Sequence, residues 1–599
     1  MTDSDVKPEA SKLADVDGGP LIASDRSIFG PIERGLIKNP DAPAVICMHQ
    51  SPDHLSSWTG VVDIDPSLAC LTLTYAQLHQ GALKLASGLV ASGAQPGQVI
   101  LCMIQNGGEY ALLLWASAIL RLTLSAVDPA VLDKNNTSGL KDYLQLLKPD
   151  VIVVPTPDES SVVDAAYLEL SDNIRPPTIR LLAQHEANDN FQASGWTSLL
   201  ATARLPKGLF SESATLEQAR LDDTARTHSI YFTSGTSAGM PKGCPLTVGS
   251  TAHILTSQSW LITGPTASRV LQQAHNSRAI GPQHTLQTWR AGGAVVMPTG
   301  PSFAVEHTIE AIAVHHVSFI VVTPAMVHAL AGALPSLSTA ARDAVRTIQV
   351  GGDVVTRDVL VKTAALFPNA KVCVNHGMSE GGAFFEWPFF EIPPDRIPYF
   401  GEICPAGKVT EGARVKIWDA REGRVAAVSQ PGELHVSCES LIPGYLNGVD
   451  AAAFYVDGGG VRWMNTGDIA IMTEENLVYI LGRSKDAISN AGTIIMPAAV
   501  ESCIDKYTGS QSCVVGLSSS PLGGQEGPFA VVSNLEGITK DQVISQVKNA
   551  LGIKFGIRGV ASLGEIGLDR FPVNATYKIV RFEVQKALVK FMGDALMMH

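Results

Sequence analysis

Short apolar runs separated by helical segments set the strongest limit on how this chain can fold. Residues 99–104 read VILCMI, and further runs follow at 151–154 (VIVV), 230–232 (IYF), 294–297 (AVVM), 319–322 (FIVV), 347–350 (TIQV) and 371–374 (KVCV). Apolar runs without alternation fit strands buried on both faces. Helical patterns lie between many of them. Thr74 precedes Leu78, Ala82, Leu85 and Leu89 at helical spacing, so it is expected to cap a helix that Gly93 ends. A second helix, apolar on most faces, is expected over about 109–122. This alternation predicts an α/β architecture with largely parallel sheets, which bind ligands at loops beyond the carboxyl ends of their strands.

The character of the sequence shifts along its length. Residues 401–480 are turn-rich, with short strands such as RVKIWD and GELHVS, and read as a small β-subdomain. After about residue 482 comes a compact stretch suited to a small α+β domain. The expected organisation is a disordered lead over 1–27, a large N-terminal domain over 28–484 and a small C-terminal domain over 485–599.

A length of 599 residues calls for several folding units rather than one core. The net charge of −13 excludes a general field that attracts nucleic acid or an anionic membrane. Any anionic ligand must therefore be held by local cations and backbone N–H groups. The apolar stretch over 110–127 is interrupted by Arg121 and is too short to span a bilayer comfortably. The acidic start lacks the apolar core of a signal peptide, and the terminal LMMH is not a peroxisomal address. Nine scattered cysteines without a Cys-x-x-Cys pair indicate neither a zinc site nor a disulfide framework. A cytoplasmic location is the expectation.

The segment 231–243, YFTSGTSAGMPKG, carries the strongest chemical signal. Thr233, Ser234, Thr236 and Ser237 supply hydroxyls, Gly235 and Gly239 allow close backbone approach, and Lys242 adds a cation. A strand running into such a loop aims N–H groups at a polyphosphate. The Walker A spacing is not met. Two further strands run into Gly-bearing loops, GGD at 351–353 and NHGMSE at 375–380, and Thr-Gly-Asp follows in WMNTGDIA at 463–470.

These strings, in this order and spacing, resemble the adenylate-forming superfamily of acyl-CoA synthetases, nonribosomal peptide adenylation domains and luciferases. Among these, the chain looks closest to a stand-alone acyl-CoA ligase. The resemblance covers nearly the whole chain. It implies that Thr233 and the following loop cradle ATP phosphates, and that Gly351, Gly352, Asp353, Gly377 and Met378 line the nucleotide. His376 would stack on adenine, while Ser379 and Glu380 would hold the α-phosphate and Mg²⁺. Asp468 would take the ribose hydroxyls and Arg483 the ribose or phosphates. PGELHVSCESLIPGYLN at 431–447 matches a mainly structural segment. Lys485 falls at the hinge about which the small domain would rotate, and Lys578 in FPVNATYKIVR matches the adenylation lysine.

The implied reaction is ATP-dependent activation of a carboxylic acid as acyl-AMP, then transfer to a thiol. The acid pocket would fall on LQQAHNSRAIGP, with His275, Arg278, Ala279 and Gly281. Amino-acid-activating relatives carry an aspartate at the position of Ala279, so the expected acid lacks an α-amino group and is of fatty, aryl or polyketide type. Arg278 either pairs with a substrate carboxylate or faces outward, and His275 either lines the pocket or is structural. Few residues follow the Lys578 motif, so no fused carrier domain is expected. That favours free coenzyme A as acceptor, with a separate carrier protein's phosphopantetheine as the alternative. A nucleotide-binding pseudoenzyme is the rival of another class, and a place in secondary metabolite biosynthesis rests on fold-level analogy alone. Tyr577, in place of glycine before the lysine, and Ile494, in place of a phosphate-binding arginine, depart from the pattern.

Overall fold

The computed structural model describes residues 12–59, 69–171, 173–184, 195–206, 208, 210–233, 241–264, 268–298, 300, 303–333, 337–490, 493–518, 526–574 and 576–597. Two seven-stranded sheets form the bulk of the molecule. In the first, Thr227–Thr233 lies beside Thr123–Ala126, followed by Val99–Cys102, Val151–Val154, Ile179–Leu182 and Thr197–Ser198, all parallel. Lys242–Thr247 closes its edge antiparallel to Thr227–Thr233. In the second, Lys371–Asn375, Thr347–Gly351, Phe319–Val322, Arg269–Leu271, Ala294–Met297 and Pro43–Cys47 run parallel, and Leu71–Thr74 closes the edge antiparallel.

The helix Tyr75–Ala91 begins at Thr74 with a capping box: the hydroxyl accepts from the Gln77 N–H, and the Gln77 side chain accepts from the Thr74 N–H. Each bond satisfies a donor that the helix start leaves unpaired. The helix Gly108–Leu120 is buried along its whole length, which explains why it is apolar all round rather than on one stripe. It packs on the helix Tyr75–Ala91, in a core that also takes Val45, Val295 and Met297 from the second sheet and Ile100, Leu124 and Val151 from the first.

A nine-stranded sheet, antiparallel throughout, follows over the turn-rich region. Its long strand Arg462–Met472 pairs with Leu477–Arg483, placing Asp468 opposite Arg483. The expected disordered lead needs correction: Asp15–Asp17 is a strand on the edge of this sheet, paired with Ala413–Asp419. Asp15 accepts two hydrogen bonds of 3.1 Å from the Arg414 guanidinium, and Lys12 donates to the Glu474 carbonyl at 2.7 Å. A charged strand can form there because its partner, rather than its own hydrophobic pattern, holds it.

After a 3₁₀ turn at Ser484–Asp486, which carries Lys485 exposed, a C-terminal unit begins. Strands Ser512–Ser518 and Glu526–Val532 run antiparallel, and Val560–Ser562 joins parallel to the second. Helices Pro497–Thr508, Lys540–Leu551 and Arg581–Met597 accompany them. Among the described residues no helix is long and apolar enough to cross a membrane.

Candidate active site

The strand ends of the second sheet, the paired strands Arg462–Met472 and Leu477–Arg483 of the antiparallel sheet and a turn of the C-terminal unit converge on one place. Thr347–Gly351 and Lys371–Asn375 end side by side, with Gly351 opposite Asn375. A β-carbon on Gly351 would stand 2.4 Å from the Asn375 carbonyl oxygen, so only glycine fits this approach. The next residue, Gly352, has a φ of +82°, which favours glycine again.

His376 follows Asn375 directly. Its Nε2 lies 3.2 Å from Asp468 Oδ2, and Arg483 Nε lies 3.0 Å from Asp468 Oδ1. Arg483 also donates to the Thr466 carbonyl at 2.9 Å. Asp468 is buried, which pushes its carboxyl up, but the hydrogen bond and charge of His376 and the Arg483 guanidinium outweigh burial and hold it below the ordinary value. Nδ1 of His376 is buried and without a partner among the described residues.

Glu380 is buried at the antiparallel ribbon formed by Gly377–Met378 and Gly381–Gly382. The Tyr445 hydroxyl donates to its Oε1 at 2.6 Å, and burial next to this carboxylate pushes the Tyr445 phenol far up. This bond takes one of the two carboxylate oxygens. Lys242 lies 5.1 Å from the centre of the Tyr445 ring and forms an ion pair with Asp450. Tyr445 and Asp450 were not singled out from sequence. Tyr445 lies in the matched segment 431–447, but its pairing with a residue 65 positions away leaves no local trace.

Lys578 reaches this place from near the end of the chain. Its Cε is 3.4 Å from where a β-carbon on Gly352 would stand. Burial lowers its ammonium from the ordinary value; Asp353 and Asp468 oppose the fall and Arg483 adds to it. Asn574 fixes the turn that carries it, accepting at Oδ1 from the Lys578 N–H at 3.0 Å and donating its own N–H to the Lys578 carbonyl at 2.9 Å.

Of the expected phosphate loop, Thr233 ends its strand and Lys242 begins the return strand, paired in register. Ser234, Gly235, Thr236, Ser237 and Gly239 lie outside the described residues. In the expected acid pocket, His275 is 1% exposed and uses both ring nitrogens: Nε2 meets the Ile104 carbonyl at 3.1 Å, and Nδ1 accepts from the Ser277 N–H at 3.1 Å. These bonds fit the structural one of its two readings, and burial lowers its pKa. A β-carbon on Gly281 would meet the Gln272 amide at 3.1 Å and the Ala274 carbonyl at 3.2 Å, so that glycine serves packing. Ala279 is partly buried and packs against the apolar cluster that contains Tyr231, Ile442 and Tyr445. Arg278 is half-buried, and its Nε finds no partner among the described residues. Ile494 is 55% exposed.

Comparisons with known proteins bear on the family and the fold. The chain is 45% identical over 591 residues to an acyl–CoA ligase of Pestalotiopsis microspora, covering 97% of this chain and 99% of that one. It is 24% identical over 543 residues to 4-coumarate–CoA ligase 2 of Nicotiana tabacum, covering 86% and 89%. Its fold matches that of ATP-bound MatB from Rhodopseudomonas palustris with a TM-score of 0.70 at 20% identity, over 93% of this chain and 98% of that one. It also matches o-succinylbenzoate coenzyme A synthetase from Bacillus subtilis, in complex with ATP and magnesium ion, with a TM-score of 0.68 at 18% identity, over 93% and 99%. The model of the family described as "AMP-binding enzyme" matches residues 38–446, and the chain belongs to that family.

Proposed function

We infer that this protein is an AMP-forming acyl-CoA ligase that activates a carboxylic acid lacking an α-amino group. The observation that carries this reading is the meeting of Lys578 with Gly352, Asp468 and Arg483, which joins the tail of the chain to the strand-end loops. The near full-length likeness to the acyl–CoA ligase of Pestalotiopsis microspora supports the same activity.

In the first half-reaction a substrate carboxylate oxygen attacks the α-phosphorus of ATP. The bond to the bridging oxygen breaks, and pyrophosphate leaves with its electron pair. Both reactants are anions, so catalysis is mainly positioning and charge neutralisation. Lys578 supplies a cation on one side, and Lys242 stands at the return of the phosphate loop. Asp468, kept ionised by His376 and Arg483, is suited to accept from the ribose hydroxyls. The ring of His376, with an unpartnered nitrogen, borders the place for the base. Glu380 is the residue that would hold Mg²⁺ beside the substrate phosphates, and the ion would neutralise phosphate charge there. The Tyr445 hydroxyl holds Glu380 in place for this.

In the second half-reaction the thiol sulfur attacks the acyl carbonyl carbon and AMP leaves. Rotation of the C-terminal unit about Lys485 takes Lys578 away and opens a path for the thiol, so both steps use one site. Coenzyme A is the acceptor in this reading. Ala279, without a charge, offers nothing to an α-ammonium group, and an unpaired ammonium at such a site would be costly.

The test is exchange of labelled pyrophosphate into ATP, run over fatty, aryl, dicarboxylic and amino acids. Non-amino acids are expected to support it. Lys578→Ala is expected to lower the rate by on the order of 10²–10³, as for other preorganised charge stabilisers. Exchange at the wild-type rate in that variant rejects the assignment.

A further inference from the structure

We propose that Tyr577 is a positioning residue that anchors the Lys578 turn to the N-terminal part of the molecule, so that the lysine is held in place for adenylate formation. The proposal rests on the reading of Lys578 given above.

Tyr577 has a φ of +57°, the left-handed region that glycine enters freely and a bulky L-residue avoids. The turn itself demands this conformation. The Tyr577 N–H donates to the Asn574 carbonyl at 2.9 Å, Val573 bridges Ile579, and Asn574 ties both ends. Glycine would satisfy such a turn without strain. A tyrosine there must gain something elsewhere.

The gain is on the other side of the interface. The Tyr577 ring meets the ring of Phe303 edge-on, with centroids 4.7 Å apart and planes at 67°. That is a favourable aromatic geometry, and Phe303 is buried. The Tyr577 side chain packs on the core that holds Phe319, Val322 and Val350, all from the second sheet. The backbone contributes as well: the Thr323 hydroxyl, at the cap of the helix Pro324–Ala331, donates to the Tyr577 carbonyl at 3.3 Å. Ring and carbonyl thus grip the N-terminal part immediately before Lys578. Replacing tyrosine by glycine keeps the turn and removes the side-chain grip, which should shift the balance of domain poses away from the one that makes adenylate.

The experiment measures the two half-reactions separately on the full chain. Adenylate formation is read by pyrophosphate exchange, using whichever of benzoate, 4-coumarate and octanoate supports the fastest wild-type rate. Transfer is read from the synthetic acyl-adenylate of that acid and coenzyme A. Tyr577→Gly is expected to lower adenylate formation about tenfold while transfer stays within about twofold of wild type. Tyr577→Phe, which keeps the ring, should match wild type in both. Phe303→Ala should reproduce the glycine variant from the opposite face. Trypsin should cut near Lys485 faster in Tyr577→Gly and Phe303→Ala than in Tyr577→Phe, which reads the pose without activity.

If Lys578→Ala is inactive but Tyr577→Gly forms adenylate at the wild-type rate, the anchor is overturned and the lysine assignment stands. An equal fall in both half-reactions makes Tyr577 a folding residue and also overturns the anchor. If Lys578→Ala retains full exchange, the underlying reading fails and the anchor with it.

Discussion

Lys578 holds a charge in a place that disfavours it. Burial and the Arg483 guanidinium pull its ammonium down, and Asp353 and Asp468 restore only part of the loss. The proposed chemistry needs the protonated form, so activity should fall as pH rises through the lowered value. The alkaline limb of kcat/KM, which reports the free enzyme, is therefore expected below the 10.5 of an ordinary lysine. Lys578→Arg should move that limb upward, because a guanidinium does not lose its proton in this range. A wild-type limb at or above the ordinary lysine value would contradict the structure's account of this residue. The lysine itself was legible in the sequence, as were Glu380, Asp468 and Arg483, because each sits in a short string with a fixed neighbour pattern. Their partners were not legible. Tyr445 meets Glu380, and Asp450 meets Lys242 across 208 positions of chain, so only the assembled fold brings them together. His275 was left open between a pocket wall and a structural role, and the bonds of both ring nitrogens to Ile104 and Ser277, which fit the structural role, are long-range or backbone contacts that the sequence does not display.

Elements were legible where their own pattern decides them. The run at 99–104 became the strand Val99–Cys102, and the helix expected over 109–122 became Gly108–Leu120. The strand Asp15–Asp17 escaped notice because its sequence carries no such pattern; the edge of Ala413–Asp419 and the Arg414–Asp15 contact impose it. Glycines at element junctions were visible as loop signals, but the approach each one permits was not. At Gly351 the neighbouring strand comes within 2.4 Å of the missing β-carbon, through a rigid carbonyl rather than a pliable side chain. Gly351→Ala must part the ends of Thr347–Gly351 and Lys371–Asn375 immediately before His376. Overpacking of this kind costs about 1–3 kcal/mol. The expected result is a lower urea midpoint together with a raised KM for ATP, since the same displacement moves the His376–Asp468 contact. A stable variant with an unchanged KM would show that the strand ends yield freely.

Across the whole molecule, the seam between the C-terminal unit and the rest encloses opposed titratable groups. Asp505, on the helix Pro497–Thr508, lies 3.9 Å from His328 Nε2, which belongs to the helix Pro324–Ala331. Lys362, on the helix Arg357–Leu366, reaches His328 Nδ1 at 3.4 Å and Asp358 at 3.3 Å. Ser512 bonds to Asp505, and Glu501 on the same helix is taken by Arg581. Burial raises the Asp505 carboxyl well above 3.8; Glu501 adds to this, while Ser512 and Lys362 oppose it. Burial, with Lys362 beside it, lowers His328 to about 4. Both neutral forms are thus favoured when the seam is closed. For Asp505 the closed pose is fully favoured below the ordinary carboxyl value and loses ground as pH rises through the raised one. For His328 it is fully favoured above the ordinary 6.5 and loses ground as pH falls toward about 4. Where both titrate the two slopes oppose each other, so closure in the wild type should vary less with pH than in either single variant. Asp505→Asn leaves only the histidine slope, and closure should strengthen as pH rises. His328→Gln leaves only the carboxyl slope, and closure should weaken over the same range. Hydrogen exchange along the helix Pro324–Ala331, followed from pH 4 to 6.5, reads the closure directly. Two variants with the same slope as the wild type would mean that Asp505 and His328 titrate without regard to domain pose, and that the seam is held by packing alone.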